Sequence, residues 1–165
     1  MTDFGQRRRI LPKTGQTTSY RDGDDGYYQM GWDEAERFKD VGDGTIIDNA
    51  TGLMWPKDWL GAGGNGGVSL VWNAAIDWAE ALDFAGYDDW RLPNAMELSS
   101  LTKRSGATPL IDDMFIGVNG TTGFYYTSTT TAYSTNLADA TSFAYQATYY
   151  KLKFSPLLVV AVRNK

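Results

Sequence analysis

The most informative stretch of the chain is DDWRLPNAMEL at residues 88–98, which joins two predicted helices. Pro93 fixes its own φ and disfavours the α conformation at Leu92, so we expect extended backbone up to this point. Asn94 is a favourable helix N-cap, and Glu97 follows it at the spacing of a capping box. The pattern therefore predicts a sharp corner at which a new helix begins.

The side chains before the proline suit a structural role at this corner. Arg91 has a five-donor guanidinium group that suits carboxylates and loop carbonyls, and Asp89 is its expected partner. The residues that we predict to hold the corner are Trp90, Arg91, Pro93, Asn94 and Glu97.

The same stretch resembles the hallmark of a known family. Asp-Trp-Arg-Leu-Pro followed by a Glu-Leu helix is similar to the C-terminal domain of Legionella collagen-like adhesins, a family of bacterial and phage domains. Further matching segments follow in order: Leu11–Thr17, Asp43–Thr45, Asp48–Trp55, Trp72 with Ala75, and Val160–Arg163. The likeness thins after about Ser128, because Tyr125–Ser128 stands where the family usually shows Tyr-Trp-Ser-Ser and a Trp-containing strand is missing.

The resemblance implies a variant of the C-type lectin fold, and the order of predicted elements agrees with an α+β architecture. A chain of 165 residues is the size of one domain. We expect an irregular N-terminal segment over residues 1–40 and a scaffold with a hairpin and two helices over 41–118. A β-rich ligand-binding region with mixed or antiparallel strands and long loops should follow over 119–165.

Propensities and turn residues predict the individual elements. These are a hairpin over 44–55 ended by Pro56, a helix from Ser69 as N-cap to about Ala85 with Gly86 after it, a second helix over about 95–103, and strands over 142–146, 148–154 and 157–162. The aromatic and apolar residues Tyr27, Tyr28, Met30 and Trp32 should pack a long loop against the core.

The charge balance argues against nucleic acid as a partner. The chain has 15 Lys and Arg against 20 Asp and Glu, and its sequence pI is about 4.6. Phosphate binding needs a basic surface, whereas the only basic run here is Arg7–Arg9, which we expect to be solvated. No apolar run reaches membrane-spanning length and no signal peptide pattern is present, so we expect no membrane insertion. The expected location is extracellular, on a cell surface or in a phage virion.

Several catalytic, nucleotide and metal sites are disfavoured. The chain has no Cys and no His, and the carboxylate pairs Asp88/Asp89 and Asp112/Asp113 join neighbours that point to opposite sides of an extended strand. The Gly-rich run at 61–66 lacks the βαβ context of a dinucleotide site and predicts a flexible surface loop. Asp22–Gly26 lacks the remaining ligands of a calcium loop and predicts a tight turn. We therefore predict no enzyme, no cofactor and no metal.

The C-terminal region carries the strongest binding signal. Six of the ten tyrosines lie there, between Ser, Thr and Asn residues, a composition typical of binding surfaces but also favourable for plain β-strands. The candidate contact residues are Tyr125, Tyr126, Tyr133, Asn136, Tyr145, Tyr149 and Tyr150. Because alternate strand residues point to opposite faces, only about half of them should share one face.

Residues and resemblance together predict a ligand-binding domain of adhesin or phage receptor-binding type, with a protein receptor or a surface glycan as its partner. Some domains of this class are similar to the variable proteins of diversity-generating retroelements, whose C-terminal part changes with the receptor. A structural virion or fibre-tip module without a ligand site is the alternative, and a carboxylate-based hydrolase is a weaker one. Collagen-like adhesins are trimeric, so the resemblance also suggests a homotrimer.

Overall fold

The computed structural model describes residues 11–165, so the predicted basic run Arg7–Arg9 lies outside the described residues. The helices are α1 (Asp25–Tyr28), α2 (Glu34–Arg37), α3 (Trp72–Glu80) and α4 (Ala95–Ser99). The strands are β1 (Phe38–Asp40), β2 (Thr45–Asp48), β3 (Leu53–Pro56), β4 (Tyr125–Thr130), β5 (Leu137–Ser142), β6 (Ala147–Leu152) and β7 (Arg163–Asn164). One 3₁₀ segment spans Ala62–Gly67.

The strands form two sheets, in the orders β1-β2-β3-β7 and β4-β5-β6, and all neighbouring strands are antiparallel. The predicted α+β architecture is confirmed. Helix α3 packs against the face of the three-stranded sheet that carries Tyr126, and α4 lies on the face that carries Tyr125. Each large apolar side chain that is fully buried between these layers stabilises the fold by about 1.5–3 kcal/mol.

The predicted hairpin over 44–55 is confirmed as β2 and β3. Thr45 pairs with Pro56 and Asp48 with Leu53, so the turn falls between Asp48 and Leu53. Pro56 is the last residue of β3, in agreement with its missing amide donor. Every residue of β3 is buried, which places this strand in the centre of the scaffold.

Helix α3 is shorter than predicted at both ends. It starts at Trp72 without a side-chain cap, so the prediction of Ser69 as N-cap is wrong. It ends at Glu80, and a tight turn between Phe84 and Tyr87 follows later, in which Ala85 and Gly86 have φ values of 56° and 81°. Gly86 therefore serves this turn and not the C-terminus of the helix.

The corner over 88–98 joins the two sheets. Arg91 and Val162 exchange two backbone hydrogen bonds of 2.9 Å, which link the corner to the segment that leads into β7. The Ser128 N–H donates to the Pro93 carbonyl at 2.8 Å, which links the corner to β4. The segment that most resembles the adhesin family is thus the structural junction of the domain.

Side chains lock this junction. Helix α4 begins with the predicted capping box, in which Asn94 Oδ1 accepts from the Glu97 N–H and Glu97 Oε2 accepts from the Asn94 N–H. Arg91 donates to both carboxylate oxygens of Glu97, at 2.6 and 2.7 Å. The prediction that Asp89 would bind Arg91 is wrong, because the antiparallel bridge at Arg91 brings Asp89 to Arg163.

Trp90 completes the corner from the inside. It is 2% exposed and donates its indole N–H to the Phe84 carbonyl at 3.1 Å. Its ring packs in a cluster with Met54 and Ala161, which belong to β3 and to the C-terminal segment. The predicted structural role of the corner residues is consistent with these contacts.

The N-terminal segment is more regular than predicted. Its described part contains α1, α2 and β1, and β1 is a strand of the four-stranded sheet. Arg37 is 4% exposed and donates two hydrogen bonds to the fully buried Asp48, with a third to the Ser100 carbonyl. This buried ion pair ties the segment to the scaffold, and sequence reasoning missed it.

The predicted loop packing of the N-terminal aromatic residues is mostly wrong. Tyr27, Tyr28 and Met30 are each more than half exposed, and only Trp32 is partly buried. The two tyrosine rings pack edge to face on each other, with centroids 5.1 Å apart. Helix α1 is a single turn that places both rings outward, so the rings contact each other and not the core.

The Gly-rich run, predicted as a flexible surface loop, packs against the core. Gly63 and Gly64 are buried, and the Gly63 carbonyl accepts from the Ala161 N–H at 3.0 Å. A Cβ atom on Gly64 would lie 2.0 Å from the Trp59 carbonyl oxygen, so only glycine permits this approach. The glycines serve backbone packing.

The C-terminal strands are shifted from their predicted positions. The prediction of a strand over 142–146 is wrong beyond Ser142, because β5 (Leu137–Ser142) ends there and residues 143–146 form the turn into β6. The strand expected over 148–154 is β6. The segment expected as a strand over 157–162 is mainly buried backbone that bridges Leu70, Tyr125 and Arg91. Its apolar run reflects burial on all sides.

Candidate ligand-binding surface

Two of the predicted contact residues lie inside the protein. Tyr125 is 2% exposed, and its hydroxyl accepts from the Asn119 N–H at 2.8 Å. Tyr126 is fully buried, and its hydroxyl lies 2.7 Å from the carbonyl oxygens of Leu152 and Ser155. Neither ring reaches the surface, so the prediction that they contact a ligand is wrong.

The burial has a topological cause. Strand β4 has a helix on each face, and its outer edge is covered because Tyr126 N–H donates to Leu158 and Leu158 N–H to Phe124. Burial raises the pKa of Tyr125 and of Tyr126 to about 12. Both phenols therefore stay neutral, and the stability that this brings is lost only as the pH rises from 10 through 12.

The other predicted contact residues are at the surface. The exposed fractions are 68% for Tyr133, 55% for Tyr145, 43% for Tyr149 and 60% for Tyr150, and Asn136 is also exposed. Tyr149 and Tyr150 belong to β6, Tyr145 to the turn before it, and the other two to the loop between β4 and β5. These residues thus surround the outer part of the three-stranded sheet.

One group of exposed aromatic rings lies on the face that packs against α3. Tyr149 is opposite Ala140 in the β5–β6 ladder, and Ala140 belongs to the core cluster of α3. The partly buried Phe124 packs against both Tyr149 and Tyr145, with ring centroids 5.5 and 6.2 Å away, and these two tyrosine centroids are 6.4 Å apart. The Lys151 ammonium lies 3.6 Å from the Phe124 centroid. We call these four residues, Phe124, Tyr145, Tyr149 and Lys151, the α3-side cluster.

A second group lies on the opposite face. Tyr150 is opposite Asp139 in the ladder, and its ring packs edge to face against Tyr133 with centroids 5.5 Å apart at 83°. We call Tyr133 and Tyr150 the α4-side pair. Because Tyr149 and Tyr150 are neighbours in one strand, the two groups are separated by the edge of the sheet.

Asn136 lies apart from both groups, in an open groove of about 550 Å³ at the start of α3. Asn73, Lys153 and the exposed Phe154 also line it. Lys153 spans the groove wall, with its ammonium 3.7 Å from the Trp72 ring centroid and a hydrogen bond to the Thr130 hydroxyl. The groove thus combines amide, cationic and aromatic groups beside β6.

Most of the chain matches one protein family. Residues 44–163 match the Lcl C-terminal domain. The chain belongs to this family. The match confirms the resemblance to the Legionella collagen-like adhesins, and it includes the junction and both aromatic groups. A search among curated proteins finds no match.

Sequence reasoning missed several side chains of this Lcl C-terminal domain. Phe124, Lys151, Lys153 and Phe154 take part in the surface but were not candidates. A charge signal was available, because residues 119–165 contain a single acid, Asp139, against four basic residues in an acidic protein. The packing of Lys151 on Phe124 could not be predicted from the sequence, because only the pairing of the strands in the sheet brings these two residues together.

Several acidic residues of the domain have structural partners. In the described part, residues 11–165, no three His, Cys, Asp or Glu side chains are grouped to hold a metal ion. In the predicted tight turn, Asp24 caps α1 by accepting from the Tyr27 N–H. Asp89 binds Arg163, and Asp112 accepts from the Met114 N–H.

No helix in the described part of the chain has the length and the apolar composition that crossing a membrane requires.

Proposed function

We propose that this Lcl C-terminal domain binds a cell-surface ligand, a protein receptor or a glycan, through the exposed aromatic residues of its three-stranded sheet. The observation that carries the proposal is the exposure of four tyrosines around β6, in a sheet whose other two tyrosines, Tyr125 and Tyr126, are buried. Tyrosine suits this role because a rigid ring with a polar tip offers contact area at a low cost in conformational entropy. Membership of an adhesin-associated family supports the same role and a surface location.

Packing alone also does not explain why these rings are exposed. Rings that only stabilised the sheet would be covered by α3 or α4, as those of Tyr125 and Tyr126 are. The tyrosines of the α3-side cluster and the α4-side pair instead leave aromatic area in water, and at the strand positions Tyr149 and Tyr150 the strand propensity of Thr or Val would serve equally well. Exposed aromatic groups of this kind mark interaction surfaces.

Binding to intact bacterial cells and to a glycan array tests the proposal. The test variant carries Tyr145→Ala, Tyr149→Ala and Tyr150→Ala, which removes rings from both groups. Its matched control carries Tyr27→Ala and Tyr28→Ala, which removes a pair of similarly exposed rings far from the sheet in sequence.

We expect the control to bind as the unchanged protein does and the test variant to lose at least about tenfold in affinity, since aromatic anchors dominate interfaces. Both variants should keep the far-ultraviolet circular dichroism spectrum of the folded protein. Equal binding by test variant and control would sink the proposal, and no binding by the unchanged protein to any cell or glycan would favour a structural module.

The finer assignments are proposals that rest on the family. They are the C-type-lectin-like variant of the α+β fold, a homotrimer, a place on a bacterial surface or a phage virion, and a role as a variable protein of a diversity-generating retroelement. The last predicts that sequences from many isolates differ mainly at the exposed positions Tyr133, Asn136, Tyr145, Tyr149 and Tyr150. Differences spread evenly along the chain would contradict it.

A further inference from the structure

The outer edge of β6 is uncovered, whereas the opposite edge of the same sheet is covered. Strand β6 has six residues and pairs with β5 in one continuous register without a bulge or a proline. At the opposite edge of the same sheet, β4 is covered by Leu158 and by Pro93. An uncovered, regular edge strand that carries one charged residue, Lys151, is unusual, because proteins normally blunt such edges with several charges, prolines, bulges or short length.

The hydrogen-bond pattern identifies which backbone groups are free. Lys153 N–H donates to the opposite residue Asn136, so alternate residues from Lys153 back to Ala147 face β5. Thr148 and Tyr150 therefore direct both N–H and C=O away from the sheet. In the described part of the chain, no hydrogen bond uses these four groups.

The aromatic groups flank this edge on both sides. Tyr149 lies on one face beside it, and Tyr150 with Tyr133 lies on the other. A flat ligand on either face would contact only one group. An added strand contacts both at once, because its side chains alternate between the two faces of the sheet.

The charge at the edge further restricts the chemistry of the ligand. Lys151 is the one charged residue of β6, and its ammonium has no carboxylate partner within residues 11–165. It lies on the face of the α3-side cluster. An acidic side chain opposite Lys151 in an added strand would be stabilised by this cation, as cross-strand pairs of opposite charge are.

We infer that β6 takes up an extended polypeptide segment of the receptor as a fourth strand, with an acidic residue facing Lys151. This inference rests on the proposed function and assigns its ligand to the protein class instead of the glycan class. Backbone bonds at Thr148 and Tyr150 supply affinity, and the tyrosines on the two faces select the side chains of the segment.

The substitution Thr148→Pro tests the backbone bonds. Proline removes one outward N–H and leaves the β5–β6 ladder intact, since residue 148 does not donate to β5. Thr148→Ala is the matched control, because both changes remove the hydroxyl that bonds to Thr141. The probes are an array of random peptides and intact bacterial cells before and after protease treatment.

We expect Thr148→Ala to bind as the unchanged protein does, Thr148→Pro to lose at least tenfold in affinity, and protease treatment to abolish binding to cells. Selected peptides should carry an acidic residue. On the unchanged protein, such a peptide should slow amide hydrogen exchange at Thr148 and Tyr150, while Tyr149 and Lys151 are already bonded to β5. This exchange measurement holds even if the proline variant folds poorly.

Other outcomes separate the two proposals. If the tyrosine variant loses binding but Thr148→Pro binds as Thr148→Ala does, the proposed function stands and the added strand is wrong. Binding that survives protease treatment points to a glycan and overturns the inference. Light scattering that shows self-association lost only in Thr148→Pro would assign the edge to a second copy of the chain and overturn it as well. If the unchanged protein binds neither cells nor peptides, both proposals fail.

Discussion

The dipeptide Tyr-Tyr occurs in β4 and again in β6, with opposite outcomes. Tyr125 and Tyr126 are buried, whereas Tyr149 and Tyr150 are 43% and 60% exposed. The two strands belong to one sheet and are separated only by β5. Position within the sheet makes the difference, because α3, α4 and the C-terminal segment cover β4 from both faces and along its outer edge, whereas the outer edge of β6 is open.

The four-stranded sheet shows a similar contrast between buried and exposed positions in its charged residues. Asp48 lies in the interior strand β2, fully buried and paired with Arg37. Asp40 lies in the edge strand β1 and pairs with Lys57, with both side chains 37% exposed. Buried side chains of covered strands thus carry much of the stability of the domain, and the open edge of β6 is the part to which we assign recognition.

Truncation of Tyr126 is the strongest test of this contrast. Tyr126→Ala should lower the free energy of unfolding by about 4 kcal/mol, because it empties a large core site and removes a buried hydroxyl that bonds to two carbonyls. Chemical denaturation measures the change. Tyr126→Phe, which keeps the ring, should recover most of it. A loss below about 1 kcal/mol would mean that β4 is not packed as described.

Removal of the buried carboxylate should come next in size. Asp48→Ala should lower the free energy of unfolding by about 3 kcal/mol, because it leaves Arg37 as an uncompensated buried charge. Asp40→Ala removes the exposed partner of Lys57 and serves as the control, with a much smaller effect. Equal midpoints of thermal unfolding for the two variants would contradict the distinction between interior and edge.

The corner that fixes β4 should show a pH dependence. Burial alone would raise the pKa of Glu97, but hydrogen bonds from Arg91 and from the Asn94 N–H outweigh it and hold the pKa below its usual 4.5. The stabilisation is therefore complete above pH 4.5 and lost as the pH falls through the lower folded-state value.

Glu97→Gln should cost about 1 kcal/mol at neutral pH, and the difference from the unchanged protein should vanish in acid. Unfolding by urea over a pH series measures this. Glu80→Gln, at an exposed position of α3, is the matched control and should follow the unchanged protein throughout. A constant difference at all pH values would show that the carboxylate charge has no part in the corner.

The smallest expected effect on stability concerns the β6 tyrosines. Tyr149→Ala combined with Tyr150→Ala should change the free energy of unfolding by no more than about 0.5 kcal/mol per substitution, as surface replacements do. Thermal unfolding followed by circular dichroism measures the change. A loss near that of Tyr126→Ala would make these rings part of the core and remove the structural basis of the binding proposal.

Features that depend on near neighbours were predictable. The capping box at Asn94 and Glu97 and the hairpin over 44–55 follow from residues within a few positions of each other, and both are confirmed. The partner of Asp89 was predicted wrongly, because the bridge between Arg91 and Val162 that brings Arg163 near joins distant parts of the chain. The end of α3 was also predicted wrongly, because the local helix pattern continues past Glu80, where the helix ends.

The candidate surface shows the limit more clearly. Composition alone indicated a tyrosine-rich region, and the alternation of strand residues indicated that its members would divide between two faces. Composition does not distinguish Tyr126 from Tyr149, since each has one Tyr and one Thr as its direct neighbours in the sequence. Their exposure depends on which strand is covered, and that is a property of the whole fold.

The amino-acid sequence was sufficient for the family, the α+β class, the rigid corner and the region in which binding is expected. These follow from short-range backbone preferences and from composition. The assembled domain settled which tyrosines reach solvent, which charges pair across the chain and which strand edge has free backbone groups. These depend on contacts between distant segments, such as Arg37 with Asp48 and Leu158 with Tyr126, whose energies exist only once the layers have packed.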